Sequence, residues 1–363
     1  MAIDNKEKEV LNVPPLRFPE FTGEWQCKAI EKVAPLQRGF DLPTQNLVEG
    51  IYPVIYSNGI LQHHDKYKCE APGLITGRSG TIGKFTYIDS GFYWPHNTSL
   101  WVTDFCGNCP KFIYYLYQTV HIEQFSTGSG VPTLNRNDVH RYKTSVPTAI
   151  VEQEKIAKFL SILDERIVTQ NKIIDKLQSL IKGINCKIFA LIQGNEYRLG
   201  DIATITNGNS NVQDASVEYR VGLYPFFDRS EDVKYLPTFL FDKESIIYPG
   251  EGTEFMPRYY NGKFALHQRC YAICDFNEAV NPQFLYFFLK TQNSYFIRNA
   301  VGSTVPSLRL DTFQKLKVVI PSKETQYSVY SFLSTLEQKL DVENSIMKML
   351  LCQKRYLLRQ MFI

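Results

Sequence analysis

Three stretches of the chain hold residue types whose spacing suggests chemistry. Gly77-Arg-Ser-Gly-Thr-Ile-Gly-Lys84-Phe85 is glycine-rich and ends in a lysine, as a phosphate-cradling loop does. Five residues separate its outer glycines, however, and Phe85 stands where a serine or threonine would hold magnesium. Nucleotide binding is not expected there. Cys106-Gly-Asn-Cys109 has the spacing of half a structural zinc site, with His63, His64 or Cys69 as further ligands. Glu152-Gln-Glu-Lys155 resembles part of a nuclease motif, but acids at a helix start are expected anyway, because they complement the helix dipole. The sequence lacks an Asn-Pro-Pro-aromatic methyltransferase motif, a nucleophile elbow and a His-Glu-x-x-His helix. No catalytic residue and no metal site are expected in this chain.

Binding chemistry is better represented. Arg78 and Lys84 sit in the glycine-rich loop, where the backbone can approach a phosphate and Arg78 can fork onto guanine. Arg136, Arg141 and Lys143 follow the segment Gly128-Ser-Gly-Val-Pro-Thr-Leu134, and Arg298, Arg309, Lys315 and Lys317 flank Gly302-Ser-Thr-Val-Pro-Ser-Leu308. Cationic side chains at matching places suit phosphate positioning, although solvated loops and strand edges carry them too. Gln268 and Arg269 answer Asn97 and Thr98, and with Arg258 they complete the candidate DNA-contacting set.

Those places match because the chain is a duplication. The two Gly-Ser-x-Val-Pro segments agree at five of seven positions with an offset of 174. His96-Asn-Thr-Ser-Leu-Trp-Val-Thr-Asp104 answers His267-Gln-Arg-Cys-Tyr-Ala-Ile-Cys-Asp275 at 171, Pro110-Lys-Phe-Ile-Tyr114 answers Pro282-Gln-Phe-Leu-Tyr286 at 172, and Phe159-Leu-Ser161 answers Phe332-Leu-Ser334 at 173. Asn281 replaces Cys109 before the shared proline, which favours a turn residue over a zinc ligand. Cys270 and Cys274, four apart in a strand-like run, are expected to be ordinary buried cysteines.

Each copy begins with short strand-like runs, such as residues 52–56, 86–88, 245–248 and 270–273, separated by glycine and asparagine turns. After Pro147 and Pro321 glycine and proline nearly vanish, and a long helix is expected. In the first, Leu160, Leu163, Ile167, Ile174, Leu177, Ile181, Ile184, Ile188 and Leu191 recur at steps of three and four, broken by Gln170. The second repeats the seam in Leu333, Leu336, Leu340, Met347, Leu350 and Leu357, broken by Glu343. A heptad seam of about 40 residues spans ~60 Å and needs a partner helix. The nearest partner is the other copy, in an antiparallel pair. Gln170 and Glu343, 173 apart, either set the register or mark a solvent-accessible end of the pairing.

These features define an α+β protein. Two similar domains, mixed α/β with mostly short strands, fall at 1–148 and 196–322. Long helices at 149–195 and 323–363 separate them in a pseudo-two-fold internal repeat.

The opening Pro15-Leu-Arg-Phe-Pro-Glu-Phe-Thr-Gly-Glu-Trp25, the restart Leu199-Gly-Asp-Ile202, the two Gly-Ser-x-Val-Pro-x-Leu segments and the helix start after Pro147 together resemble the specificity subunit of type I restriction-modification systems. The resemblance covers essentially the whole chain. It implies that each domain reads one half of a bipartite site on double-stranded DNA, and that the paired helices set the unread spacer and dock two methyltransferase subunits. Restriction and translocase subunits join in the full complex. It implies no cofactor in this subunit, with S-adenosylmethionine, ATP and magnesium held by the partners.

Composition agrees with a soluble, cytoplasmic protein. The 363 residues are 44% hydrophobic, too apolar for disorder and enough for two domains. No run of 18 uncharged apolar residues occurs, and the charged segment 1–10 is not a secretory signal. Eight cysteines are too few for a disulfide scaffold. The net charge of +3 divides into near-neutral globular regions and about two positive charges on each helix. Two other classes compete. A non-catalytic scaffold with duplicated binding domains on a coiled-coil stalk explains the repeat but not the basic residues after both segments. The other is a nuclease using Asp138 or Asp311, which stand 173 apart, one short of the 174 between the segments before them.

Overall fold

A computed structural model of the protein describes residues 12–128 and 130–363. The charged segment 1–10 and Ser129 of the first Gly-Ser-x-Val-Pro segment lie outside the described residues. The two long helices run Ile150–Leu191 and Lys323–Met361. The chain divides into two compact units, Met1–Asn171 with Ile346–Ile363, and Lys172–Ser345. Both divisions fall inside the long helices, so each unit is one globular domain plus the start of one helix and the end of the other.

In unit one, strands Gln26–Ala29 and Lys143–Val146 pair antiparallel just before the central helix begins. Unit two repeats this with Asn195–Arg198 and Lys317–Ile320. The main sheets differ instructively. Unit two has a six-stranded sheet containing two nine-residue strands, Phe241–Pro249 and Arg258–Leu266. Unit one follows the same path in broken form. Cys69–Glu70 and Gly73–Gly77 flank Pro72, which has no N–H for the ladder, and Phe85–Ile88 and Phe92–Pro95 flank Gly91, with φ +85°. The result is two four-stranded sheets in place of one of six.

Aromatic side chains fuse each domain core to the helices of its own unit. In unit one Trp25, Phe112, Tyr115 and Tyr117 are buried with Leu160, Leu163, Leu350, Leu357 and Phe362. Phe362 stacks on Phe112 at 5.3 Å between ring centroids. In unit two Phe189 meets Phe284 at 5.3 Å. Phe189 and Phe362 are 173 apart, so the end of each long helix presses a phenylalanine onto a domain helix. Within unit one the two helices are antiparallel. Trp25 touches both Glu152, near the start of the central helix, and Phe362, at the end of the C-terminal one. Further along, Asp164 pairs with Lys354 at 2.6 Å.

The seam is buried at Leu160, Leu163, Ile174, Ile181, Leu333, Leu350 and Leu357. Ile167, Leu177, Ile184, Ile188, Leu336, Leu340 and Met347 are half-buried. Of the two polar interruptions, Gln170 is buried and Glu343 half-buried. Leu191 departs from expectation: it is 68% exposed. The helix ends there, and Phe189 and Ile192 turn to the domain core instead.

Candidate DNA interface

In both units the Gly-Ser-x-Val-Pro segment closes against the end of a core strand through the same backbone bonds. Gly80 N–H donates to Pro132 O at 3.0 Å and Leu134 N–H to Arg78 O at 2.7 Å. In unit two Gly252 N–H donates to Pro306 O at 3.0 Å and Leu308 N–H to Gly250 O at 2.8 Å. The bridge Ser79–Thr133 is answered by Glu251–Ser307, and Phe40–His96 by Ser210–His267. Glycine is required where the chain passes closest. A Cβ on Gly77 would lie 1.7 Å from Thr81 O, and one on Gly250 would lie 1.9 Å from Arg269 O. The glycine-rich loop joins two antiparallel strands, so it does not lead into a helix as a phosphate loop must.

On this frame unit one carries a cleft of about 630 Å³ lined by Arg38, Asp41, Arg78, Asn135 and Arg136 among others. Two of the expected residues, Arg78 and Arg136, therefore meet, and neither is ion-paired among the described residues. Arg38 joins them and pairs with Asp41 at 2.9 Å. Asn97 donates to the same carboxylate, which fixes its amide beside the cleft. Arg38 and Asp41 were not singled out from the sequence. Only the three-dimensional return of the strand Leu36–Arg38 beside Ser99–Val102 brings them here.

Unit two carries a cleft of about 300 Å³ lined by Asp228, Arg229, Glu251, His267, Gln268 and Arg269. Gln268 and Arg269 are the expected members. Arg269 donates to Glu251 at 2.6 Å. Burial pushes the Asp228 carboxyl up, but hydrogen bonds from Lys234 at 2.6 Å and from Ser230 outweigh it and hold the group below its ordinary range. Burial likewise depresses the pKa of His267, and of its counterpart His96.

The remaining candidates lie elsewhere. Arg141 is tied to Asp138 at 3.1 Å, and Lys315 to Asp311 at 2.8 Å, each one turn back on a short helix after the segment. Lys143 and Lys317 open equivalent strands, and Lys317 pairs with Glu196 at 2.7 Å. Lys84 donates to Asn58 O at 3.1 Å. Arg298 and Arg309 are exposed. Arg258 reaches inward to Ser230 O, and its Nη1 is buried, so it braces the loop that carries Asp228 and Arg229. Cys109 is the N-cap of helix Pro110–Thr119, as Asn281 is of Pro282–Lys290. Among the described residues no cluster of histidine, cysteine, aspartate or glutamate is arranged to hold a metal. No helix among them is long and apolar enough to cross a membrane.

Two buried polar groups at the helix starts were read from sequence only as dipole-complementing residues. Glu152 accepts Arg17 Nε and Nη2 at 2.7 and 2.8 Å and the Trp25 indole N–H at 3.1 Å. Gln153 is 2% exposed and bonded to the domain through both ends of its amide. The signal was available: Gln326, 173 residues later, holds the same place in the repeat.

Comparison with known proteins places both copies. The family model for the type I restriction modification DNA specificity domain matches residues 22–179 and again 194–350. A specificity subunit of the type I restriction enzyme EcoDI from Escherichia coli is 30% identical over 138 residues, which is 38% of this chain, and the match spans about 30% of the length of that relative. The crystal structure of a type I restriction-modification S subunit from M. genitalium superposes with a TM-score of 0.66 at 20% identity, covering 97% of this chain and 99% of that one. A chain from a structure of the assembly and conformational transition of a type I system superposes at 0.56 with 13% identity, covering 92% and 96%. With the family model matched once in each copy of its repeat, the chain belongs to the type I restriction-modification DNA specificity family.

Proposed function

We propose that each unit reads one half of a split DNA target, that the paired helices set the distance between the halves, and that this chain supplies selection while partner subunits supply chemistry. One observation supports the reading above the others: the same cleft frame is built twice, with Arg78 and Ser79 in one copy replaced by Gly250 and Glu251 in the other. A repeated scaffold with divergent polar side chains is what two readers of different sequences require. Unpaired Arg78 and Arg136 give the first cleft donors for base edges and phosphates.

The helices offer a surface for the partners. Phe159 and Phe332, from the repeated Phe-Leu-Ser phrase, are 40% and 48% exposed, Phe159 with its ring edge-on to Phe18 at 5.9 Å. Two equivalent apolar positions on one chain suit two copies of one partner, here methyltransferase subunits that hold S-adenosylmethionine. Restriction subunits would bring ATP and magnesium. Near-neutral domains suggest that tight DNA binding needs those partners around the duplex. Insertion of seven residues in the central helix should lengthen it by ~10 Å and widen the unread spacer by about three base pairs. Methylation mapping in cells carrying this variant reads the outcome, and an unchanged spacer would contradict the ruler.

A further inference from the structure

One ion pair in the second cleft has only Ser79 and Thr98 at its equivalent positions in the first, and it has little structural work to do. Arg269 Nη1 meets Glu251 Oε1 at 2.6 Å, with the arginine side chain 63% exposed and the glutamate 19%. A pair this open adds little stability, because water competes for both groups and salt screens them. A carboxylate facing phosphate-rich DNA weakens binding unless a donor meets it. The neighbouring carboxylate Asp228 is fully engaged, by Ser230 on one oxygen and Lys234 on the other. Glu251 is not: its Oε2 has no partner among the described residues, and neither do Nε and Nη2 of Arg269. The pair thus presents an acceptor beside a fork of donors. Its position is set by the repeated frame. Glu251 bridges to Ser307 where Ser79 bridges to Thr133, and Arg269 follows His267 by two residues as Thr98 follows His96.

We propose that Glu251 and Arg269 together read one G·C base pair in the half-site of the second domain. Glu251 accepts from the cytosine 4-amino group, and Arg269 donates to guanine O6 and N7. In the major groove these groups lie side by side on one base pair, and no other pair shows an amino donor next to two acceptors in that order. The inference rests on the split-target reading above and names which residues do the selecting in one half. Each residue also holds the other in place, so a change to either should act at the same base pair.

The test uses the assembled complex with its modification subunits and a DNA library randomised over both half-sites. Wild type, Glu251→Gln and Arg269→Ala are compared, the first being isosteric and able to donate as well as accept. Both variants are expected to lose roughly tenfold or more discrimination for G·C at one shared position of the second half-site, with the first half-site selected as before. An unchanged motif, losses at two different positions, or uniform weakening over both half-sites would overturn the pair as a reader while leaving the split-target reading intact. Failure of the wild-type complex to select any split sequence would overturn that reading and this inference with it.

Discussion

Gln326 holds in unit two the place that Gln153 holds in unit one, with two equivalent hydrogen bonds and a third that goes to a backbone carbonyl where Gln153 uses the Asn108 side chain. Gln153 Oε1 accepts Cys109 N–H at 2.9 Å, and its Nε2 donates to Asn108 Oδ1 at 2.8 Å and Pro147 O at 2.9 Å. Gln326 Oε1 accepts Asn281 N–H at 2.7 Å, and its Nε2 donates to Ala279 O at 2.9 Å and Pro321 O at 3.0 Å. Each amide ties the first turn of a long helix to the residue that caps a domain helix. The direction in which each long helix leaves its domain is therefore fixed at a buried, fully bonded side chain.

Gln326→Ala should destabilise the protein by about 2–4 kcal/mol, since it strands a buried N–H and two carbonyls. Gln338→Ala, on the exposed face of the same helix, should stay within about 0.5 kcal/mol. Denaturant midpoints read both. Equal effects would mean that the clasp carries no stability.

The Arg17 and Glu152 pair differs from the surface pairs because Glu152 is 2% exposed and the arginine binds both its oxygens. Arg17→Ala leaves a buried carboxylate with only the Trp25 indole, at a cost of about 3–5 kcal/mol. Burial shields the pair from salt, so the cost measured by urea unfolding should be similar at low and high sodium chloride. A cost that disappears in salt would show the pair to be solvent-open.

Two glycines should respond to alanine with opposite sign. Gly302 has φ +108°, and a Cβ there would lie 2.8 Å from Val305 O, so Gly302→Ala should destabilise by about 1–3 kcal/mol. Gly183 lies inside the central helix with nothing within 4 Å of a Cβ, so Gly183→Ala should stabilise by about 0.5–1 kcal/mol. Thermal unfolding distinguishes them, and a shared sign would contradict the backbone argument.

His140 Nε2 accepts the Leu36 N–H at 2.9 Å, which a protonated ring cannot do. Burial depresses its pKa, Glu31 opposes the shift and Arg136 adds to it. The folded state therefore takes up this proton at lower pH than the unfolded chain. Stability from this group is intact above the ordinary histidine value of about 6.5 and falls as pH drops from there through the folded pKa. The loss of melting temperature between neutral pH and mild acid should be smaller in His140→Gln. An equal loss would assign the acid sensitivity to other groups.

The duplication, the two helices and most of their seam were legible in the sequence, because identical phrases at a fixed offset and a period of 3.5 are local patterns. The clasp at Gln153 and Gln326 was hidden, since a polar residue at a helix start has an adequate local explanation in the dipole. The clefts were half legible. Arg78, Arg136, Gln268 and Arg269 follow repeated landmarks, whereas Arg38, Asp41 and Glu251 reach the same places only through strand pairing between distant segments. Leu191 fits the heptad period, but the helix ends at that residue, and the core is met by Phe189 instead.

The central claim is that each unit selects its own half of a split DNA target. The most direct measurement is the genome-wide methylation motif of the assembled complex bearing Arg78→Ala, compared with wild type. The account expects the half-site read by the first domain to relax at one or a few positions, with the second half-site and the spacer unchanged. Relaxation in both halves, or a motif identical to wild type, would contradict it.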